Sequence, residues 1–508
     1  MKLYSSTQIR LIETHYLAQG LPLMQRAGAA AAEHALRLAA NTKPAKFLIF
    51  CGAGNNGGDG LVAARLLQAQ GHLVTVLGSA LAAQMPAHAR AAHAAYLAAG
   101  GQVFNALPPA QQIAAYDVCI DALLGLGCNR APEGELAAWI EAINRFASSG
   151  KPVLALDLPS GLHADTGVTL GSAVRASHSI SFIGSKIGLH TADGCEHAGQ
   201  ISSADLGLPL AALPAQLQEQ IGMVALRNAP THFALALQPR PRNSHKGDFG
   251  NARIIGGAAG MVGAALLAGR AALHMGAGRT FLGLLDTAAP AVDYGQPELM
   301  LQAPELVLGG SGALCLGPGM GKSAAALAIL QTALAQAAPL LLDADALNLL
   351  AAHASDFLPL LHARAAAGRN TVLTPHAAEA GRLLACPYQD INAHRPAAAL
   401  GLAQKYQAIV LLKGCGSIIA TPAGSLFINP TGTPALATGG SGDVLSGLIT
   451  GLLAQVDGSA DAALAAVLAG VYVHGLAAEM LGIPRGLAAS ELIAQARSEL
   501  QALNDQHL

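Results

Sequence analysis

Residues 437–447, ATGGSGDVLSG, combine what phosphoryl chemistry needs. Gly439, Gly440, Ser441 and Gly442 carry little bulk, so successive backbone N–H groups can converge on one anion. The helix expected from 443 adds its positive end. Asp443 stands at the mouth of that loop. A carboxylate beside an anion hole is unfavourable unless it has work to do. Accepting a proton from a hydroxyl, while phosphoryl charge develops on the loop, is such work. The plainer reading makes Asp443 the N-cap of a glycine-rich helix start. Lys413 ends an apolar run and is followed by Gly414, Cys415, Gly416 and Ser417. A lone lysine there would be an edge residue; the small residues after it favour contact with phosphate. Far upstream, CGAGNNGGDG at 51–60 again joins an apolar run to glycines and a helix-like run. DALLGLG at 121–127 and DLPSG at 157–161 end two further apolar runs.

These stretches need a scaffold that delivers them to one place. From 46 the chain alternates: KFLIFCG as strand, 59–71 as helix, LVTVLG as strand, 86–99 as helix. Strands at DVCIDALLG and PVLALDLPSG follow, separated by a helix at 135–149. Short apolar runs spaced by amphipathic helices imply a parallel sheet covered on both faces. Ligands bind such sheets beyond the carboxyl ends of the strands, where GNNGGDG, DALLGLG and DLPSG all fall. Between about 207 and 245 prolines recur and the alternation lapses; it resumes with NARIIGGAAG, ALCLGPGMG, PLLLDADALN, TVLTPHAAE and AIVLLKGCGS. The expectation is an α/β protein of two domains, 1–222 and 223–508, without a repeat between them.

A chain of 508 residues exceeds one ordinary core. Net charge is −2 and only 12% of residues are charged, which excludes a basic field for nucleic acid. Mean hydropathy is positive, yet Val444–Val456 and Ala462–Val473 are broken by Asp457 and His474 before reaching the roughly 20 residues of a membrane span. They read as buried helices. The N-terminus lacks the pattern of a secretory signal, and seven scattered cysteines suit a reducing, cytoplasmic setting. Cys51 reads as a small buried hydrophobe, and no histidine spacing suggests zinc.

With LDADALN at 342–348, TPHAAE at 374–379 and KGCGS, the stretch TGGSGDVLSG resembles the ribokinase-type superfamily. More closely, with HKGDFGNARIIGG at 245–257, GMVGAALLAGRAAL at 260–273 and GPGMG at 317–321, it is similar to the ADP-dependent hydro-lyases that repair hydrated NADH and NADPH. The first half is similar to the epimerases for the same damaged cofactors, through LMQRAGAAAA at 23–32, GNNGGDG, DALLGLG, LDLPSGLHADTG at 156–167 and ISFIGSKIGLH at 180–190. The fusion of both, epimerase first, is the arrangement of bacterial bifunctional repair enzymes of the YjeF family. The resemblance implies a Rossmann-like doubly wound sheet followed by a ribokinase-like α/β sandwich. It also implies a homo-oligomer, acting on NADHX and NADPHX with ADP and Mg2+ and without nucleic-acid or membrane partners.

In the first half the resemblance places the hydrated cofactor along Asn55, Asn56, Gly57, Gly58 and Asp59, along Gly125, Leu126, Gly127, Cys128, Asn129, Arg130 and Ala131, and at Asp157. It gives a potassium ion to Asn56, Asp121 and Ser160. Inverting a carbon centre needs proton transfer, so Asp157 is expected as acid/base, with Lys186 as helper or as a solvated loop lysine. Asp121 and Asp157 could also be turn formers after strands. In the second half the resemblance gives the nucleotide Lys413–Ser417 and Gly442, and gives the hydrated cofactor Ala264, Gly319, His376 and Asp443. His376 has an alternative as a helix cap. Two departures stand out: Gln25 where the family often has Glu, and Thr433 where Asn is common. Rival readings are a small-alcohol kinase in the second half and a non-catalytic binding module in the first.

Overall fold

The structure, a computed structural model, describes residues 1–40, 42–78 and 82–506. The chain forms two compact units, Lys2–Ala225 and Leu226–Leu508, with Met1 grouped with the second.

The first unit holds a seven-stranded parallel sheet. Its order is Val103–Phe104, Leu73–Gly78, Lys46–Cys51, Val118–Ala122, Val153–Leu156, His178–Phe182, Gln200–Ala204. The central strands are buried along almost their whole length because helices cover both faces, which explains their unbroken apolar runs. A short strand, Lys2–Tyr4, pairs in parallel with Ser185–Lys186. Three apolar residues or fewer carry no period, so that strand is invisible to pattern reading.

The helix expected over 59–71 runs Asn55–Ala69, so most of GNNGGDG is helix rather than loop. Its glycines serve close packing. A Cβ on Gly57 would meet the Gly52 carbonyl, one on Gly58 would lie 2.6 Å from Met24 Cε, and one on Gly60 would lie 2.7 Å from Ala122 Cβ. The helix start is thereby pressed onto the ends of two strands.

The second unit has a mostly parallel sheet. Met300–Gln302, Arg279–Leu284, Asn251–Gly256, Ala313–Leu316, Leu340–Leu342, Thr371–Leu373 and Ile409–Leu412 run parallel, followed by antiparallel Ile418–Ala420 and Leu426–Ile428. Ala460–Leu481 is a 22-residue helix long and apolar enough to cross a membrane by length and composition alone. Here it lies in the core: Ala466, Val467, Leu468 and Val473 have no exposed surface.

Helices Val262–His274 and Ser441–Leu453 touch backbone to backbone, because a Cβ on Gly447 or Gly451 would run into the carbonyls of Ala268 and Ala272. Gly447→Ala is therefore expected to destabilise the unit by about 1–3 kcal/mol, the usual cost of overpacking. A lowered thermal midpoint for loss of this unit's activity checks it; an unchanged midpoint would refute the close contact.

Candidate functional site

In the first unit the strand order reverses between Lys46–Cys51 and Val118–Ala122, which are neighbours whose onward connections lead to opposite sides. Loops leaving such a pair diverge and open a crevice. A cavity of ≈ 570 Å³ occupies it, lined by Asn55, Asn56, Asp59, Gly125, Leu126, Gly127, Cys128, Asp157 and Lys186. Gly57 and Gly58 face the packing described above, and Asn129, Arg130 and Ala131 lie beyond the lining. Glu13 and Gln25 also line the cavity. Glu13 went unrecognised in the sequence because a single acid on an amphipathic helix looks like an ordinary exposed residue.

Asp157 follows its strand in a left-handed conformation, φ +66°. Its Oδ1 accepts a hydrogen bond from Lys186 Nζ and one of 3.3 Å from Phe182 N–H. Lys186 is fully buried, and its ammonium also donates to Phe182 O at 2.8 Å. The solvated-lysine alternative thus fails: the short strand pairing with Lys2–Tyr4 holds Lys186 inside. The remaining acids repel one another across the cavity. Burial, then Asp157, pushes the Glu13 carboxyl up; burial, then Asp157 and Glu13, pushes Asp59 well up, with Lys186 opposing.

Behind the cavity lies a ring of oxygens. Ser160 donates to Asp121 through Oγ at 2.6 Å and through its backbone N–H at 2.8 Å, and Leu123 N–H donates at 3.2 Å. Leu124 N–H donates to Ser160 Oγ at 2.8 Å, while Asn56 Nδ2 donates to Leu124 O at 3.0 Å. That leaves the buried Asn56 Oδ1 without a partner among the described residues. The Asp121 carboxyl is fully buried, and burial pushes it up to about 6 while Ser160 pulls it down. Asn56, Asp121 and Ser160 are therefore together, and Asp121 is more than a turn former.

In the second unit the helix Ser441–Leu453 begins two residues earlier than expected, with Gly440 as N-cap at φ +91°. Asp443 is thus inside the first turn rather than its cap. Burial, then Asp343, pushes its carboxyl up to about 6, with Lys413 opposing and Asp345 adding. Lys413 Nζ lies beside Gly442, 3.5 Å from where a Cβ would stand there, and donates to Asp343 Oδ1 at 2.7 Å. Burial pulls the Lys413 ammonium down, but Asp343 and Glu379 outweigh it and leave it raised. Ser417 closes a turn with Gly414, accepting from its N–H at 3.2 Å and donating to its carbonyl at 3.0 Å.

His376 does cap the helix Ala377–Leu384: its Nδ1 accepts from Ala378 N–H at 3.1 Å and Glu379 N–H at 3.4 Å. Capping occupies Nδ1, while Nε2 of the half-exposed ring lies 3.3 Å from Glu379 Oε1. Gly319 and Ala264 meet where this sheet also reverses, between Asn251–Gly256 and Ala313–Leu316. Ala258 N–H donates to Gly319 O at 2.7 Å, and a Cβ on Gly319 would lie 3.2 Å from that of Ala264. Thr433 Oγ1 accepts from Ala435 N–H at 3.3 Å, a local cap. Asp343, inside LDADALN, drew no role from the sequence.

The NAD(P)H-hydrate dehydratase family model matches residues 252–497, and that of the YjeF-related protein N-terminus matches 20–188. A bifunctional NAD(P)H-hydrate repair enzyme of Escherichia coli is 37% identical over 486 residues, covering 93% of this chain and 88% of that one. One from Coxiella burnetii is 36% identical over 513 residues, covering 97% and 98%. The ADP/ATP-dependent NAD(P)H-hydrate dehydratase from Bacillus subtilis, co-crystallised with ATP and Mg2+, superposes with a TM-score of 0.46 at 28% identity, over 56% of this chain and 100% of that one.

Proposed function

The chain belongs to the family of bifunctional NAD(P)H-hydrate repair enzymes, and on that premise we propose which residues perform each reaction. The chain interconverts R- and S-NAD(P)HX and dehydrates the S form to NAD(P)H at the expense of ADP, with release of AMP and phosphate. Epimerisation belongs to the first unit and dehydration to the second. The observation that carries the assignment is that each unit brings its own carboxylate and lysine together: Asp157 with Lys186, both buried, and Asp443 near Lys413, both partly buried.

In the second unit, Asp443 takes the proton of the C6 hydroxyl as its oxygen attacks the terminal phosphorus of ADP. Gly439–Gly442 and Lys413 receive the charge that develops on the phosphoryl oxygens. The C6–O bond then breaks, phosphate leaves, and loss of a proton from C5 restores the dihydronicotinamide. His376 Nε2, Ala264 and Gly319 face the hydrated ring; Gly414–Ser417 turn toward the nucleotide. Mg2+ would supply charge neutralisation at the ADP phosphates, with no residue of this chain assigned to hold it. In the first unit, Asp157 exchanges the proton that C6 inversion requires, and Lys186 holds its carboxylate in place.

Potassium fits the ring behind the cavity. Asn56 Oδ1, without a partner among the described residues, the fully buried Asp121 carboxylate, Ser160 Oγ and the loop carbonyls form an all-oxygen set suited to a weakly hydrated ion. Such an ion, held by Asn56, Asp121 and Ser160, would supply positive charge that favours the ionised form of the buried Asp121.

The assay is a mixture of both NADPHX epimers with ADP and Mg2+, followed by dihydronicotinamide absorbance and free phosphate. Full conversion with one phosphate per NADPH is expected. Recovery no faster than uncatalysed epimerisation once the S form is consumed would make the first unit a scaffold; a phosphorylated alcohol as product would establish the kinase instead. Exchanging potassium for tetramethylammonium should slow epimerisation, with recovery on adding KCl. Equal rates in the two media would exclude the ion.

A further inference from the structure

We infer that Asp343 is the positioning residue of the second unit's site, holding the Lys413 ammonium against the anion loop before any phosphate arrives. Three elements meet at its carboxylate. Asp343 ends the strand Leu340–Leu342, Lys413 ends the strand Ile409–Leu412, and Ser446 belongs to the helix that begins with the loop. Oδ1 accepts from Lys413 Nζ and Oδ2 from Ser446 Oγ, each at 2.7 Å. Both oxygens are therefore committed, one to the cation and one to the helix carrying Asp443. The reading rests on the function proposed above for this unit.

A purely structural ion pair explains this poorly. Asp343 stands at the N-cap position of helix Ala344–Ala352, where aspartate ordinarily bonds the first-turn N–H groups, yet its side chain makes no cap bond. Ala344 is left-handed at φ +46°, and Gly317 at φ +128° leaves no room for a Cβ against the Asp343 carbonyl. Cap, backbone conformation and neighbouring glycine are all given over to turning one carboxylate inward. Hydrophobic residues of similar volume often stabilise as well as a buried ion pair, so stability alone does not account for these concessions.

The carboxylate has a second effect. Asp443 faces Asp343 and Asp345 from one side and Lys413 from another. Lys413 in turn faces Glu379 and His376 on the helix Ala377–Leu384, and His474 on Ala460–Leu481. Of the acids, Asp343 is the one that raises Asp443 most. Removing its charge should make Asp443 easier to ionise.

The test is the pH dependence of dehydration in Asp343→Asn, with epimerisation by the same chain as a control for integrity. We expect kcat/KM for dehydration to fall on the order of 10- to 10²-fold, the scale of a misplaced binding group. The acid limb, expected near pH 6 in the unaltered protein, should move to lower pH. Loss of rate with an unmoved limb would mean a merely structural role and overturn the inference. Ser446→Ala keeps every charge and removes only the second anchor. A several-fold rise in the KM for ADP with an unmoved limb supports positioning, and an unchanged KM overturns it. If the unaltered chain shows no ADP-dependent dehydration, the proposed function itself fails.

Discussion

Asp443→Asn is expected to lower ADP-dependent dehydration by about 10²–10⁴-fold, the contribution of a general base, and to leave epimerisation unaltered. The amide is close in size to the carboxylate, so the helix start and anion loop keep their shape. What is lost is the site that receives the hydroxyl proton. Asp443 is pushed up to about 6, so near neutral pH it is ionised yet close in affinity to the proton it must take. Binding of ADP should survive, because the loop N–H groups and Lys413 remain. Separate assays of the two reactions and a calorimetric titration with ADP decide the matter. A variant that dehydrates at the original rate would remove Asp443 from the chemistry.

Asp157→Asn should do the converse: epimerisation falls by about 10²–10⁴-fold while dehydration of the S epimer persists. Asparagine is the informative replacement because Asp157 is left-handed, and Asn tolerates φ > 0 better than most residues. Backbone strain therefore stays the same. The ammonium of Lys186 does not: fully buried, it keeps the Phe182 carbonyl but loses its counter-charge. Breaking one side of a buried pair costs about 3–5 kcal/mol, so the first unit should also melt earlier. Adding Lys186→Met should recover most of the melting temperature and none of the activity. Epimerisation restored along with stability would show that Asp157 serves the fold rather than the reaction.

Much of this site was legible because strand ends are marked by abrupt changes in composition. GNNGGDG and DLPSG each follow an apolar run, and the structure sets them at the carboxyl ends of parallel strands, whereas TGGSGD follows the short turn Pro434–Leu436 and opens a helix. What could not be read was which partner each charged group would find. Lys186 stayed divided between helper and solvated loop lysine because nothing local marks Lys2–Tyr4 as the strand that buries it. Asp343 drew no role at all, since a side chain that declines its cap leaves no trace in sequence. Asn55–Asp59 looked like loop because glycine usually breaks helices; here it lets a helix approach two strand ends too closely for any side chain. His376 carried two readings, and the structure shows the cap: Nδ1 accepts from Ala378 and Glu379 N–H, and Nε2 lies 3.3 Å from Glu379 Oε1.

The glycine contact between Val262–His274 and Ser441–Leu453 has a mechanical consequence. Helices that slide past each other do so on intervening side chains, which repack in small steps. Gly447 and Gly451 remove that layer, so the helix bearing Ala264 and the helix bearing Asp443 are interlocked through their backbones. Any motion that admits ADP and the hydrated cofactor is then expected in the loops rather than between these helices, above all at 257–261 and 317–321, where Gly257, Gly260, Gly319 and Gly321 all have positive φ. Amide exchange along the two helices should stay slow throughout turnover, while the loops alone follow the catalytic cycle.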